Sequence, residues 1–274
     1  MDDRIAHGVW KRLSPTPVSL RYRMPDGILV WVYWLIGLSL VTYLSVYIVR
    51  RYREYAFAAL TGFFIIYLGA SQILATRIIV FDLGLVTFFA PASVFVYPFT
   101  AQVIDMINEV YGERMTYVAI LIAFATQILL MIFLAIGNTL APAPFFGYEE
   151  AWQNIFALSL RITAASWMAF LIAANLDAYI FARLKRRFLR REEAFSGNAL
   201  VNPYVWLRSS ASDAINLTLD SLIFVTLAFS GVAPLLPLII GQIVAKNIIG
   251  FLDNPWFVWY KSMLRKEEAG LEVA

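Results

Sequence analysis

Long apolar runs alternate along the chain with short polar and often basic stretches. Seven runs are long enough to cross a bilayer, which takes about 20 helical residues at 1.5 Å rise each. They are Ile28–Val49, Ala56–Thr76, Pro91–Val110, Thr116–Ile136, Leu158–Leu184, Val205–Gly231 and Leu235–Met263. Lipid offers backbone N–H and C=O groups no partners, so these runs are read as helices. The fold class expected is an all-α, polytopic membrane helix bundle. Residues 77–90, rich in Val, Ile and Phe with Asp82 and Gly84 at a turn, read as a short hairpin or a re-entrant loop against the bundle. Pro255 is expected to break or kink the last helix, since proline lacks the backbone N–H.

Composition agrees with that pattern. Of 274 residues 61% are hydrophobic and only 15% charged, where a soluble domain carries about 25% charged residues. There is no Cys, which excludes disulfides, thiolate catalysis and Cys-ligated metals, and the single His7 lies in the N-terminal tail, outside every span. No cofactor and no metal are expected. The tail, residues 1–27, is basic and proline-containing without the short apolar core of a signal peptide, and reads as a surface segment.

The placement of charge orients the bundle. Arg50, Arg51 and Arg53, then Arg114, then Lys185 to Arg191, then Lys261, Arg265 and Lys266 follow alternate spans, whereas the loop 137–157 carries only Glu149 and Glu150. By the positive-inside rule the basic set is cytoplasmic, with the C-terminus inside. The basic N-terminal tail runs against this scheme.

Candidate chemistry sits inside the spans. Asp105 and Glu109, four apart, project from one helical face beside Gln102 and Asn108, ahead of Gly112. An acid at the centre of a span costs about 2.5–3.5 kcal/mol and needs a partner, water or a ligand. The third, fifth, sixth and seventh spans hold six acids, Asp105, Glu109, Asp177, Asp213, Asp220 and Asp253, and the bases singled out against them are Arg161 and Lys246. Asp213 also reads as a structural acid at a helix end, Asp253 beside Asn254-Pro255 as a cap, and Arg161 as a snorkelling interfacial residue. Lys246, mid-span with Gln242 one turn away, is expected to pair with Asp220 or Asp105 or to touch a substrate. The Asp105–Glu109 face, Asp220 and Lys246 are expected to converge on one polar cavity. No G-x-x-x-x-G-K-[ST], G-x-S-x-G or H-E-x-x-H run is present, so neither ATP hydrolysis by a P-loop nor the common hydrolase chemistries are indicated.

The stretches YPFTAQVIDMINEVYG, RITAASWMAFLIAANLDAYIFARLK and VWLRSSASDAINLTLDSLIFVTLAF, with the segment from Lys246 to Pro255, resemble the YhhQ/VUT family of queuosine-precursor transporters. The Asp-x-x-Asn-Glu-Val-Tyr-Gly run is the specific part. The resemblance covers about Ala56 to Met263. It implies a six-helix transporter core, residues 56–264, related to the substrate-binding components of energy-coupling-factor transporters. Residues 28–55 would then be an extra N-terminal helix and basic loop, and 265–274 a cytoplasmic tail. It further implies a non-enzymatic importer of 7-cyano- and 7-aminomethyl-7-deazaguanine, or, alternatively, a substrate-binding subunit that requires a separate ATPase. The substrate-binding residues implied are Asp105, Asn108, Glu109, Arg161, Asp177, Asp220, Gln242 and Lys246. The partners are the small-molecule base and the lipid bilayer of the plasma membrane, with no nucleic acid, and a homo-oligomer is compatible with the chain. The chemistry is consistent: a carboxylate accepts the adjacent N–H donors of a guanine-like edge, and a lysine or amide donates to its carbonyl.

Overall fold

The computed structural model describes residues 24–82, 87–156, 160–231 and 234–271. The surface role read into the first part of the N-terminal tail therefore lies outside the described residues. Seven α-helices account for most of the described chain: α1 (Met24–Arg51), α2 (Arg53–Leu74), α3 (Tyr97–Thr139), α4 (Glu149–Phe156), α5 (Leu160–Glu193), α6 (Pro203–Phe229) and α7 (Leu235–Leu271). Six of the helical stretches are long and apolar enough to cross a membrane, the third of them running from Ala92 to Thr139.

That third stretch is two crossing segments, not one. Gly112 has φ 77° and ψ 174°, a backbone region essentially restricted to glycine. Tyr67 meets Phe99 with ring centroids 5.3 Å apart. A Cβ placed on Gly69, two residues along the same helix, would lie 3.5 Å from Leu130. On a continuous helix Phe99 and Leu130 would be about 46 Å apart. The chain therefore doubles back at Gly112, and the arms 97–111 and 113–139 lie side by side against α2. These arms are the third and fourth segments expected from the hydropathy pattern.

Two compact units divide the chain, residues 1–37 and 38–274. Of the first, the described part is the start of α1, whose Leu29, Val30, Tyr33 and Ile36 are exposed. In the second, Leu60, Phe64 and Leu68 of α2 pack with Ile104 and Ile107 of one α3 arm, Ile120 and Ala123 of the other, and Phe170 and Ala174 of α5. Val46, Met106, Phe181, Val205 and Phe257 form another cluster. Buried alanines on α5, at 165, 169, 173, 178 and 182, present small side chains along its inner face. Small residues let membrane helices approach closely, and α5 and α6 make the most extensive helix pair. The outer surface is apolar, with Ile66, Leu121, Phe133, Leu222 and Phe251 exposed, while Asp105, Asp177, Arg208 and Lys246 are buried. This inversion suits a lipid solvent.

Residues 78–91 form an antiparallel hairpin, β1 (Ile78–Asp82) and β2 (Thr87–Pro91), with Ile78 opposite Pro91 and Asp82 opposite Thr87. It is braced by α7: a Cβ on Gly241 would lie 2.5 Å from the Phe89 carbonyl oxygen. Only glycine permits that approach.

Two expectations are corrected. The basic stretch Lys185 to Arg191 continues α5 as helix instead of forming a loop, because Lys, Arg, Leu and Glu are good helix formers. The helix is likewise not broken at Pro255, one of the two outcomes expected there, and continues through it. Asp253 is accordingly buried within a helix and caps nothing. Membrane helices tolerate such a proline where neighbouring groups engage the local backbone. Asn254 Nδ2 donates to the Gly250 carbonyl at 3.2 Å, and Gln102 Nε2 donates to the Asp253 carbonyl at 3.0 Å.

Candidate functional site

One face of α6 carries Arg208, Ser209, Ser212, Asp213, Asn216 and Asp220, all buried. Their spacings of one, three or four residues build a single stripe, about 18 Å long from Arg208 to Asp220. Pro203 and the side chain of Asn202, which accepts from Tyr204 N at 3.1 Å, start the helix cleanly. The neighbouring helices face this stripe with polar groups in three layers.

The first layer is ionic. Arg208 Nη2 lies 2.7 Å from Glu109 Oε2 and Arg208 Nε 3.3 Å from Glu192 Oε2. Lys261 pairs with Glu109, and with Glu192 Oε1 at 2.6 Å. Lys185 lies 3.4 Å from Glu109 Oε2 and donates to the Glu109 carbonyl at 2.7 Å. The Arg208 guanidinium, fully buried, sits 4.8 Å from the centroid of the Phe181 ring. Three cations and two anions thus join α3, α5, α6 and α7.

The second layer is acidic. Asp105, Asp177 and Asp213, from α3, α5 and α6, each place a carboxylate oxygen within 4.8 Å of the others. Ser209 Oγ donates to Asp105 Oδ2 at 2.8 Å and lies 3.3 Å from Asp213 Oδ2. Asn216 Nδ2 donates to Asp177 Oδ2 at 3.0 Å, and Asn108 Nδ2 to the Ala178 carbonyl at 2.8 Å. One oxygen of each of the three carboxylates, and the amide oxygens of Asn108 and Asn216, have no hydrogen-bond partner among the described residues.

The third layer joins α3, α6 and α7. Lys246 Nζ donates to Asp220 Oδ2 at 2.5 Å, Tyr97 donates its hydroxyl to Asp220 Oδ1 at 2.7 Å, and the Lys246 ammonium stands 3.7 Å from the centroid of the Tyr97 ring. Gln242, one turn before Lys246, is buried, and its Oε1 has no partner among the described residues.

The residues singled out from sequence are thus divided. Lys246 takes Asp220 as its partner, with Gln242 nearby on α7. Asp105, Asp177 and Asn108 belong to the acidic layer. Glu109, expected to share a cavity with Asp220 and Lys246, is instead engaged by Arg208, Lys261 and Lys185. Arg161 stands in the first turn of α5, and its side chain lies outside the described residues. Sequence reasoning passed over Arg208, Tyr97 and Ser209, and left Asp213 out of the binding set in favour of a helix-end role. Arg208 stands so near the start of its span that a hydropathy window treats it as a boundary residue. Its position four before Ser212 was the available signal. Nothing distinguishes Tyr97 from the other aromatics around it.

A multi-helix bundle with an apolar exterior and a polar stripe buried across its interior is a multi-pass membrane protein. Comparison with known proteins gives the family. The profile of the family described as "Putative vitamin uptake transporter" matches residues 91–260. A protein of Bacillus subtilis (strain 168) named "Probable queuosine precursor transporter" is 26% identical over 167 residues, covering 60% of this chain and 68% of that one. No solved structure matches. The chain belongs to the vitamin uptake transporter family, the VUT family it resembles in its motifs, and is a transporter, not an enzyme.

Proposed function

We propose that this transporter imports the 7-deazaguanine precursors of queuosine and archaeosine, 7-cyano- and 7-aminomethyl-7-deazaguanine, across the plasma membrane for tRNA modification. The relative named as a queuosine precursor transporter supports the substrate class. The observation that carries the reading is the third layer. Tyr97 and Lys246 each hold one oxygen of Asp220. Each carboxylate oxygen has a second lone pair, so an oriented Asp220 still accepts two adjacent N–H groups. Those are the donors of a guanine-like pairing edge. Lys246 retains N–H donors for the ring carbonyl, and Gln242 Oε1 supplies a further acceptor. Asp105, Asn108 and Asp177 border this region from the adjoining layer. The positive-inside rule supports a cytoplasmic side for the basic ends of the spans and the C-terminus.

The test is equilibrium binding of both precursors to the purified protein with guanine as competitor, followed by uptake into liposomes containing only this chain. Uptake is expected without a partner. Binding without uptake would favour the substrate-binding subunit of an ATPase-driven system. Asp220→Asn keeps the shape but replaces an acceptor oxygen with a donor amide. It is expected to weaken binding by about 2–4 kcal/mol, roughly 30- to 1000-fold. Failure of the wild-type protein to bind either base overturns the reading.

A further inference from the structure

We infer that the acidic layer between α3, α5 and α6 is a binding site for a hard, oxygen-seeking metal cation. Three carboxylates from three helices bring oxygens within 4.8 Å of one another. Asp105, Asp177 and Asp213 are 0%, 0% and 4% exposed. Each has one oxygen engaged or approached by a side-chain donor, and each leaves Oδ1 without a hydrogen-bond partner among the described residues. Like charges this close and this dry repel strongly and require compensation. The ionic layer does not supply it by direct pairing: Arg208, Lys185 and Lys261 make their ion pairs with Glu109 and Glu192.

The amides give the independent indication. Asn216, 1% exposed, reaches the cluster with its N–H on Asp177 and leaves Oδ1 unpartnered. Asn108, also 1% exposed, fastens its N–H to the carbonyl of Ala178, next to Asp177, and likewise leaves its oxygen unpartnered. Asp105 with Asn108, and Asp213 with Asn216, are each three apart, so α3 and α6 each carry a carboxylate and an amide on one face. The donor set is all oxygen, with neither Cys nor His, which selects hard cations of the sodium, calcium and magnesium type over zinc or copper. Ser209 spans two of the carboxylates with a single hydroxyl proton, fixing their separation without neutralising them. A divalent ion leaves less residual charge on three carboxylates than a monovalent one, and magnesium sheds its waters reluctantly, so calcium is the favoured occupant of so dry a site.

The test needs no base, and so its outcome is independent of the transported substrate. Purified protein is titrated with CaCl2, MgCl2 or NaCl against choline chloride at matched ionic strength, following the thermal midpoint. At about a hundred times its dissociation constant, a specifically bound ion is expected to raise the midpoint by roughly 5 °C. Asp105→Asn and Asp213→Asn are expected to lose that rise, and Glu150→Gln, on the surface, to keep it. Equilibrium dialysis of the wild-type protein with radioactive calcium or sodium reads occupancy directly and does not depend on any variant folding. About one ion per chain is expected. A midpoint that responds to none of the three ions, dialysis that finds no retained ion, or a rise of equal size in Asp105→Asn and Asp213→Asn overturns the site.

Discussion

Glu109 is the residue on which the distinction between holding the bundle together and holding the substrate turns. Its carboxylate is shared by Arg208, Lys261 and Lys185. Arg208 is fully buried, whereas Glu109 and the two lysines retain 10–24% side-chain exposure. Removing one member of a buried ion pair costs about 3–5 kcal/mol, because the partner is left charged and dry. With partly exposed members the lower end applies. Glu109→Gln is therefore expected to lower thermal stability by about 3 kcal/mol, while changing base affinity by less than about threefold. Adding Arg208→Met to the same chain should recover part of the stability, since Glu192 alone then has two cations of the layer to balance instead of three. Thermal unfolding and base binding on the same preparations separate the roles. A loss of affinity of about 30-fold with unchanged stability would return Glu109 to the base-binding layer.

At the scale of elements, two glycines set the geometry that brings the layers together. Gly112 reverses α3, and Gly241 lets α7 lie against the hairpin backbone. Gly112→Ala places a Cβ in a backbone region costing about 1–3 kcal/mol, and Gly241→Ala drives a Cβ into the Phe89 carbonyl, an overpacking cost of about 1–3 kcal/mol. Both variants are expected to unfold at lower temperature in detergent. Gly62→Ala, whose added Cβ meets nothing within 4 Å, should be neutral or slightly stabilising. An unchanged midpoint for Gly112→Ala would mean that the arms 97–111 and 113–139 do not need that reversal. These elements were largely legible in the sequence, since a bilayer leaves an apolar run few options other than a helix. Even the reversal was marked, by a glycine after the acids of the third span. The continuation of α5 through Lys185 to Arg191 was hidden because a basic run after a span looks like a loop. In fact Lys185 and Glu192 are tied into the ionic layer, which draws the helix onward. The site was legible where cost dictated a partner, as for Lys246 with Asp220. It was illegible where a bland alternative existed, as for Asp213, whose place near a helix end concealed its approach to Asp105 and Asp177. Which helix faces meet is a property of packing, and no single span encodes it.

On the scale of the whole molecule, the three layers lie in series along α6, so the orientation of the bundle decides which one a solute meets first. Arg208 belongs to the end of α6 that follows the basic continuation of α5. Asp220 lies about 18 Å further along. If positive-inside placement holds, the ionic layer faces the cytoplasm, and a solute entering from outside reaches Asp220 and Lys246 before the acids and the ion pairs. The ionic layer would then have to open for release, because it links α3, α5, α6 and α7 across that end. The orientation can be read directly, since the chain has no native cysteine and single introduced cysteines report without background. Arg187→Cys and Lys266→Cys are expected to resist a membrane-impermeant thiol reagent applied to intact cells and to react once the membrane is opened. Glu149→Cys, in the acidic connection between the second α3 arm and α5, is expected to react from outside. Labelling of Lys266→Cys in intact cells would invert the bundle, put the ionic layer at the entrance, and make Arg208 and Glu109 the first polar groups an incoming solute encounters.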